Sequence, residues 1–312
     1  MADEELTVGW IGAGRMGAAM AVRLARAGVP PAVWNRTRAK AEATVPHGCA
    51  VAGEVAELRD RDVVFTMVST SADLDQVLFG AGGLLADPAH LPGVLVDCST
   101  VSTESSELVR QACEQLRVRF LAAPVSGNGK VARAGRLTLV VSGPEETFRR
   151  VEHLLRHLGR SVTYAGDGDV ARLVKICHNL MLGVVTQCLA EITVLAEKGG
   201  VSRAAFLEFL NDSVMGSTFT RYKSPAFVHL DYTPTFTPLL LRKDFDLGLA
   251  AARAMDVPMP LAALTAQLVQ GTVSRGRVTD DFAVLLEQQA AASGMVLKPE
   301  DVPVDDGLGG AS

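Results

Sequence analysis

Residues 8–17 constrain the fold more than any other stretch of the chain. Val8–Ile11 reads as a short buried strand. Gly12-Ala13-Gly14-Arg15-Met16-Gly17 follows with no spacer, and an alanine-rich helical pattern then runs to Ala27. In such a strand–turn–helix unit the first glycine allows a tight turn and the second lets backbone approach a pyrophosphate. The third lets helix and strand pack closely. The helix N-terminus then offers unpaired N–H groups and partial positive charge to phosphates. The G-x-G-x-x-G spacing alone also occurs in simple tight turns. With a strand before it and a helix after it, it points to dinucleotide binding, with Gly12, Gly14, Arg15, Met16 and Gly17 as cofactor-binding positions.

The rest of the N-terminal half extends this unit. Leu6–Ile11, Pro31–Trp34, Asp62–Val68, Gly93–Asp97, Arg119–Val125, Leu137–Ser142 and Ser161–Tyr164 read as strands. Met16–Ala27, Arg38–Thr44, Ser71–Leu78, Ser102–Leu116 and Pro144–Leu158 read as helices between most of them. Such alternation implies βαβ units and a doubly wound, parallel α/β sheet. Past residue 166 the strand signal fades. Asp169–Lys198 is one helical run, followed by Ser202–Asn211, Asp244–Met255, Leu261–Val273 and Asp280–Ala292. The expected organisation is a dinucleotide-binding domain over 1–166, an all-α substrate and dimerisation domain over 167–292, and a poorly ordered, acidic, glycine-rich tail over 293–312. A length of 312 residues agrees with two domains of about 150 residues each.

Composition removes several classes. Hydrophobic residues make up 48% and charged residues 21%, with a mean hydropathy of +0.22. A disordered chain has the opposite balance. A net charge of −5 argues against a nucleic-acid partner, and 5% aromatic residues favour close packing of helices and strands over aromatic platforms. The acidic start MADEELTV lacks the basic and apolar regions of a secretory signal. Ile176–Ala196 is the most apolar stretch, but His178, Asn179, Gln187 and Glu191 interrupt it, which argues against a membrane helix. The five cysteines form no Cys-x-x-Cys and fit reduced thiols in the cytoplasm, with Cys98 and Cys177 as small apolar fillers. His153 and His157 have helical spacing but sit among arginines, with no ligand set to complete a metal site.

Further places along the chain carry chemistry. The second strand ends in Val33-Trp34-Asn35-Arg36-Thr37, with no acidic residue to hold a ribose 2′-OH. Arg36 and Arg38 are suited to a 2′-phosphate, which points to NADP(H). Read plainly, they are solvent-exposed charges. In the apolar helix Asp169–Lys198, Lys175 and Asn179 are four apart and share a face. A lysine there either has a task as general acid or base, or snorkels with its head in water. Asp97-Cys98-Ser99-Thr100-Val101-Ser102 and Ala123-Pro124-Val125-Ser126-Gly127-Asn128-Gly129 close strands where parallel sheets gather ligand contacts. Val68 closes its own strand in the same way. Each segment alone also reads as an N-cap and a loop. Lys243-Asp244 reads as a solvated helix start, where Asp is favourable and Lys is not.

In order and spacing these segments resemble the β-hydroxyacid dehydrogenase family, which includes 3-hydroxyisobutyrate dehydrogenase, tartronate semialdehyde reductase and the glyoxylate/succinic semialdehyde reductases. The resemblance covers about residues 6–290. It implies a Rossmann domain joined by a long helix to an all-α domain, with homodimers or homotetramers formed through the helical part. It implies Lys175 as catalytic lysine and Asn179 as its companion, and a small, carboxylate-bearing substrate held by Ser126, Gly127, Asn128, Phe236 and Asp244. Asn35, Arg36, Thr37, Val68, Thr100 and Lys243 would join the glycine turn around NADP(H). Two positions depart from the family pattern: Asn128 replaces a glycine, and His178 replaces an asparagine. Both put the substrate in question more than the reaction. His178 reads either as a specificity group or as a partly exposed helical residue. Imine reductases share the architecture but usually lack the lysine, so Lys175 argues for a carbonyl or alcohol substrate.

Overall fold

Strand β1 (Val8–Ile11) is buried on both faces, as a central parallel strand must be. The computed structural model describes residues 6–308. After β1 come α1 (Gly17–Arg26), β2 (Ala32–Trp34), α2 (Arg38–Glu42), β3 (Ala50–Val51), β4 (Val63–Thr66), α3 (Ser71–Phe79), β5 (Val94–Asp97), α4 (Thr103–Gln115), β6 (Arg119–Ala122) and β7 (Val125–Ser126). They are followed by α5 (Gly129–Arg133), β8 (Leu137–Ser142), α6 (Glu145–Leu158) and β9 (Gly159–Gly166). The strands run β3-β2-β1-β4-β5-β6-β8-β7, with β9 pairing β8. From β3 to β6 every pairing is parallel. This is the strand order of a dinucleotide-binding Rossmann sheet.

Beyond β6 the sheet departs from the expected parallel pattern. β8 runs antiparallel to β6 and to β7, while β9 is parallel to β8. β6 and β7 are separated by only two residues, and the short α5 lies between β7 and β8. A crossover long enough to keep the next strand parallel is therefore lacking. β3 escaped the sequence reading because two residues carry no alternation to detect.

Side chains on the two faces of the sheet point into separate layers. Ile11, Val64 and Leu95 pack with Leu74 and Leu78 of α3 and Val109 of α4. Trp10 and its register partner Phe65 face the other way and stack at 5.3 Å. Helices thus bury both faces, and the ends of the strands are left to carry polar chemistry.

The chain divides into two units, Met1–Lys175 and Ile176–Ser312. The division falls inside α7 (Val170–Lys198), later than the change of texture at residue 166. The second unit is helical: α8 (Arg203–Asp212), α9 (Thr218–His229), α10 (Pro238–Ala254), α11 (Pro260–Ser274) and α12 (Leu285–Ala292). Sequence patterning missed α9, whose interior holds Pro225, a residue that breaks helical pairing. Its start is fixed by a Ser217/Thr220 capping box. α10 begins at Pro238, capped by Thr237, and not at Asp244. Lys243 and Asp244 therefore lie inside the helix, which overturns their reading as a helix start. α7 and α10 pack closely: a Cβ on Gly183 would come within 2.4 Å of the Phe245 ring, and one on Gly248 within 2.6 Å of Leu180.

Two expectations fail here. α7 is long and apolar enough to cross a membrane by length and composition, and half of its most apolar window is buried within the chain. Its surface is only partly covered within the chain: Met181 is 68% and Leu195 72% exposed, and Cys177, expected as a small apolar filler, is exposed too. The tail is not loose over its described part, 293–308 (309–312 lie outside the described residues). Glu300 accepts the N–H groups of Arg203 and Ala204 at 2.7 and 3.0 Å and so caps α8 from outside. Buried Arg203 donates to the carbonyls of Phe227, Val228 and Lys298 and to Glu197. Met295, Leu297 and Val304 pack against the cluster of Leu189, Val194, Leu207 and Phe227. A buried guanidinium needs several acceptors, and composition alone does not reveal that the tail supplies them. Glu300→Ala is expected to lower the unfolding free energy by about 1–2 kcal/mol, read as a fall in Tm. An unchanged melting curve would contradict this account of the tail.

Candidate active site

Two of the three glycines in the turn have a steric reason within the chain. Gly12 has φ +100°, and a Cβ there would lie 2.3 Å from the Met67 carbonyl oxygen. A Cβ on Gly17 would lie 2.0 Å from the Gly12 carbonyl oxygen. At Gly14 a Cβ would meet nothing within 4 Å, and the residue is exposed, as are its neighbour Arg15 and, in part, Met16. The turn is closed where the chain packs on itself and open where another group can reach the backbone, so it fits a dinucleotide. Trp10 Nε1 donates to the Gly12 carbonyl at 2.9 Å.

Asn35 braces this turn. Its Oδ1 accepts the Ala13 N–H at 2.8 Å, and its Nδ2 donates to the Thr37 carbonyl at 2.9 Å. The amide is thus held by backbone, a role the sequence reading did not assign it. Arg36 and Thr37 are exposed, and Arg36 pairs with Asp73 in the first turn of α3 at 3.0 Å. Arg38 pairs with Glu42 at 2.8 Å.

The ends of β4 and β5 are joined by a buried polar network. Asp97 Oδ1 accepts from Thr66 Oγ1 at 2.6 Å and from Ser99 Oγ and N at 2.6 and 3.1 Å. Ser99 Oγ in turn accepts the Val68 N–H at 2.9 Å. The other oxygen of Asp97 takes Arg172 Nη2 at 2.5 Å. Thr100 follows, half-buried, and Ser102 caps α4. Cys98 is an inert filler, its thiol pushed well up by burial and by the adjacent Asp97. Sequence reasoning missed the Asp97–Arg172 pair. The signal was present: an Asp ending the apolar run Val94-Leu95-Val96, and an Arg in an apolar helix, each needing an opposite charge.

The Ser126–Asn128 loop splits in its roles. Ser126 is half-buried at the end of β7. Gly127 has φ +131°, and a Cβ there would crowd Leu137 and Val131. Asn128 is buried, and its Oδ1 accepts the N–H groups of Lys130 and Val131 at 2.9 and 3.1 Å. The residue that departs from the family pattern is thus the N-cap of α5, not a substrate ligand through its side-chain oxygen. Lys175 is 9% exposed. Little of the residue meets water.

In the helical unit, Asn179 Nδ2 donates to Asp244 Oδ2 at 2.6 Å, and both residues are buried. His178 Nδ1 lies 2.9 Å from Asn179 Oδ1. Because the amide NH₂ is given to Asp244, His178 is the donor in that contact. Lys243 is half-buried, with its Nζ 3.7 Å from Asp244 Oδ1. Phe236 and Phe219 are half-buried and pack on Phe282 with centroids 5.7 and 6.2 Å away. Among the described residues, no group of three or more His, Cys, Asp or Glu could hold a metal ion.

Comparison with known proteins agrees with this geometry. Residues 7–166 match the NAD binding domain of 6-phosphogluconate dehydrogenase. Residues 166–288 match the NAD-binding domain of NADP-dependent 3-hydroxyisobutyrate dehydrogenase. The chain is 32% identical to 3-hydroxyisobutyrate dehydrogenase of Pseudomonas aeruginosa over 84% of its length and 90% of the relative's. It is 30% identical to glyoxylate/succinic semialdehyde reductase 1 of Arabidopsis thaliana, over 90% and 98% respectively. Among solved structures, Psf3 in complex with NADP+ and 2-OPP superposes with a TM-score of 0.82 at 25% identity, covering 90% of this chain and 99% of that one. Imine reductase from Pseudomonas sp. shares the fold at a TM-score of 0.62 and 20% identity, over 91% and 99% of the two chains. With two family models spanning most of its length, the chain belongs to the β-hydroxyacid dehydrogenase family of NAD(P)-dependent oxidoreductases that act on CH–OH groups of small molecules.

Proposed function

We propose that the protein transfers hydride between NADP(H) and a small β-hydroxyacid or its semialdehyde, with Lys175 as general acid and base. The observation that carries this reading is the burial of Lys175, 9% exposed on α7, at the position of the family's catalytic lysine. When bound, the nicotinamide supplies the hydride chemistry. Lys175 Nζ gives a proton to the carbonyl oxygen during reduction, and its ammonium stabilises the negative charge that develops there. In oxidation the neutral amine takes the hydroxyl proton. Asn179, one turn later on α7, orients the reacting oxygen or the lysine, and Asp244 fixes the Asn179 amide.

A preference for NADP(H) is supported by the end of β2. The strand itself ends in no carboxylate, Asn35 is committed to the glycine turn, and Arg36 and Arg38 are exposed, paired with Asp73 and Glu42. Gly12, Gly14, Arg15, Met16, Gly17, Thr37, Val68, Thr100 and Lys243 complete the cofactor contacts in this reading. A substrate carboxylate is anchored by Ser126 and by the backbone N–H groups of Gly127 and Asn128, with Phe236 on the apolar side. The imine reductases share the fold alone, and Lys175 favours a carbonyl substrate over an imine.

A homodimer or homotetramer is supported by the exposed stripe of α7. Cys177, Met181, Cys188 and Leu195 are exposed at spacings of four and seven residues, as in a helix–helix seam. Sedimentation at micromolar concentration should give a dimer or larger, and Met181→Asp should shift it toward monomer. A monodisperse wild-type monomer would overturn the assembly.

Lys175→Ala is expected to lower kcat by about 10²–10⁴-fold while NADPH still binds, as read by fluorescence titration. Turnover near wild type would refute the role of Lys175. Arg36→Asp is expected to weaken NADPH far more than NADH. Equal weakening of both cofactors would remove the 2′-phosphate assignment.

A further inference from the structure

Arg172 lies three residues before Lys175 on α7 and is 1% exposed. Its guanidinium uses every edge. Nη2 donates to Asp97 Oδ2 at 2.5 Å, Nε to Ser106 Oγ at 3.0 Å, and Nη1 to the Ser99 carbonyl. Ser106 Oγ also donates to Asp169 Oδ1 at 2.9 Å, and burial pushes the Asp169 carboxyl up against the pull of Arg172. Asp97 is fully buried, and its second oxygen holds Thr66 and Ser99. Through Ser99 Oγ the same network reaches the N–H of Val68. One ion pair therefore fastens three things together: the loop after β4, the loop after β5, and the first turn of α7.

A desolvated ion pair is a poor way to gain stability, since apolar residues of similar volume often serve as well or better. What it adds is direction. The planar guanidinium fork fixes the angle and register of whatever it joins, which a lysine in its place does not. The strand ends it joins carry Val68 and Thr100, and the helix turn it joins carries Lys175.

The geometry points to Arg172 and Asp97 as positioning residues for proton transfer: they set where Lys175 stands relative to the loops after β4 and β5. This rests on the reading of Lys175 as acid and base. Neither residue touches a reacting atom in this scheme. They act by holding the lysine's helix turn in register, where an error of about 1 Å costs about 100-fold in rate.

The test is a double-mutant cycle in the full chain with Arg172→Lys and Lys175→Met, singly and combined. Reduction is followed with NADPH and the most active of glyoxylate, succinic semialdehyde and tartronate semialdehyde. NADPH affinity is measured by fluorescence titration, and amide hydrogen exchange is mapped by mass spectrometry. Arg172→Lys should cut kcat by about tenfold or more while the NADPH Kd moves less than about threefold. Exchange should rise in peptides covering 66–70, 97–102 and 170–176. In the Lys175→Met background the same substitution should change the residual rate by less than about twofold, because the two residues act as one unit. An equal loss in both backgrounds would mean a merely structural role and overturn the inference, as would an unchanged kcat. If Arg172→Lys does not fold, Ser106→Ala replaces it: it keeps the charge pair, removes the acceptor of Arg172 Nε and so frees the angle of the guanidinium, and should lower kcat and raise exchange over 170–176 in the same direction. Failure of the underlying reading looks different. If Lys175→Met, or every aldehyde acid, leaves the rates of wild type and variant alike, the lysine has no proton to position and both readings fall.

Discussion

A parallel sheet buried on both faces ends in backbone groups and loops that water reaches poorly, and something must satisfy and fix them. Here that constraint is met by one buried carboxylate. Asp97 takes hydrogen bonds from Thr66 on the neighbouring strand, from Ser99 in its own loop, and from Arg172 at the start of α7. Removing either member of such a pair leaves an uncompensated buried charge, at a cost of about 3–5 kcal/mol. The ends of β4 and β5 and the entry to the lysine helix depend on it together.

The glycine turn shows the same economy of roles at the end of β1. Gly12 and Gly17 are required because the chain folds back on itself within contact distance, while Gly14 leaves its backbone open to an outside group. The Asn35 amide then ties the turn to the end of β2. Asn35 thereby explains two facts at once. It supports the turn that fits the pyrophosphate, and it occupies the place where an acidic residue would select the ribose hydroxyl.

What could be read in the sequence had short-range causes. The strand–turn–helix unit, the alternation up to residue 166 and the apolar run of α7 are patterns within a few residues, and each has its counterpart in the structure. Lys175 stood out because a charge in an apolar helix needs a reason. The misses have long-range causes. The Asp97–Arg172 pair joins residues 75 apart, and Glu300 caps a helix that begins 97 residues earlier. A local pattern marks Asp97 and Arg172 as charges in apolar surroundings, but it does not say which partner each one finds. α9 was hidden by Pro225, and the start of α10 by a Pro238 that reads as a break but sits at a helix N-terminus, where proline fits. Asn128 shows the converse: a departure from the family pattern that looked like substrate chemistry has a local cause, the capping of α5. His178 keeps its interest, because it donates to the Asn179 amide that Asp244 holds from the other side.

The central claim is that Lys175 exchanges the proton while the strand-end loops and the glycine turn hold the cofactor. A crystal structure of the protein with NADP+ and a β-hydroxyacid tests it most directly. The account predicts the substrate hydroxyl within about 3 Å of Lys175 Nζ, its carboxylate on the Ser126–Asn128 backbone, and the pyrophosphate against Gly14. A hydroxyl bound away from Lys175, with another side chain in reach of its proton, would contradict it.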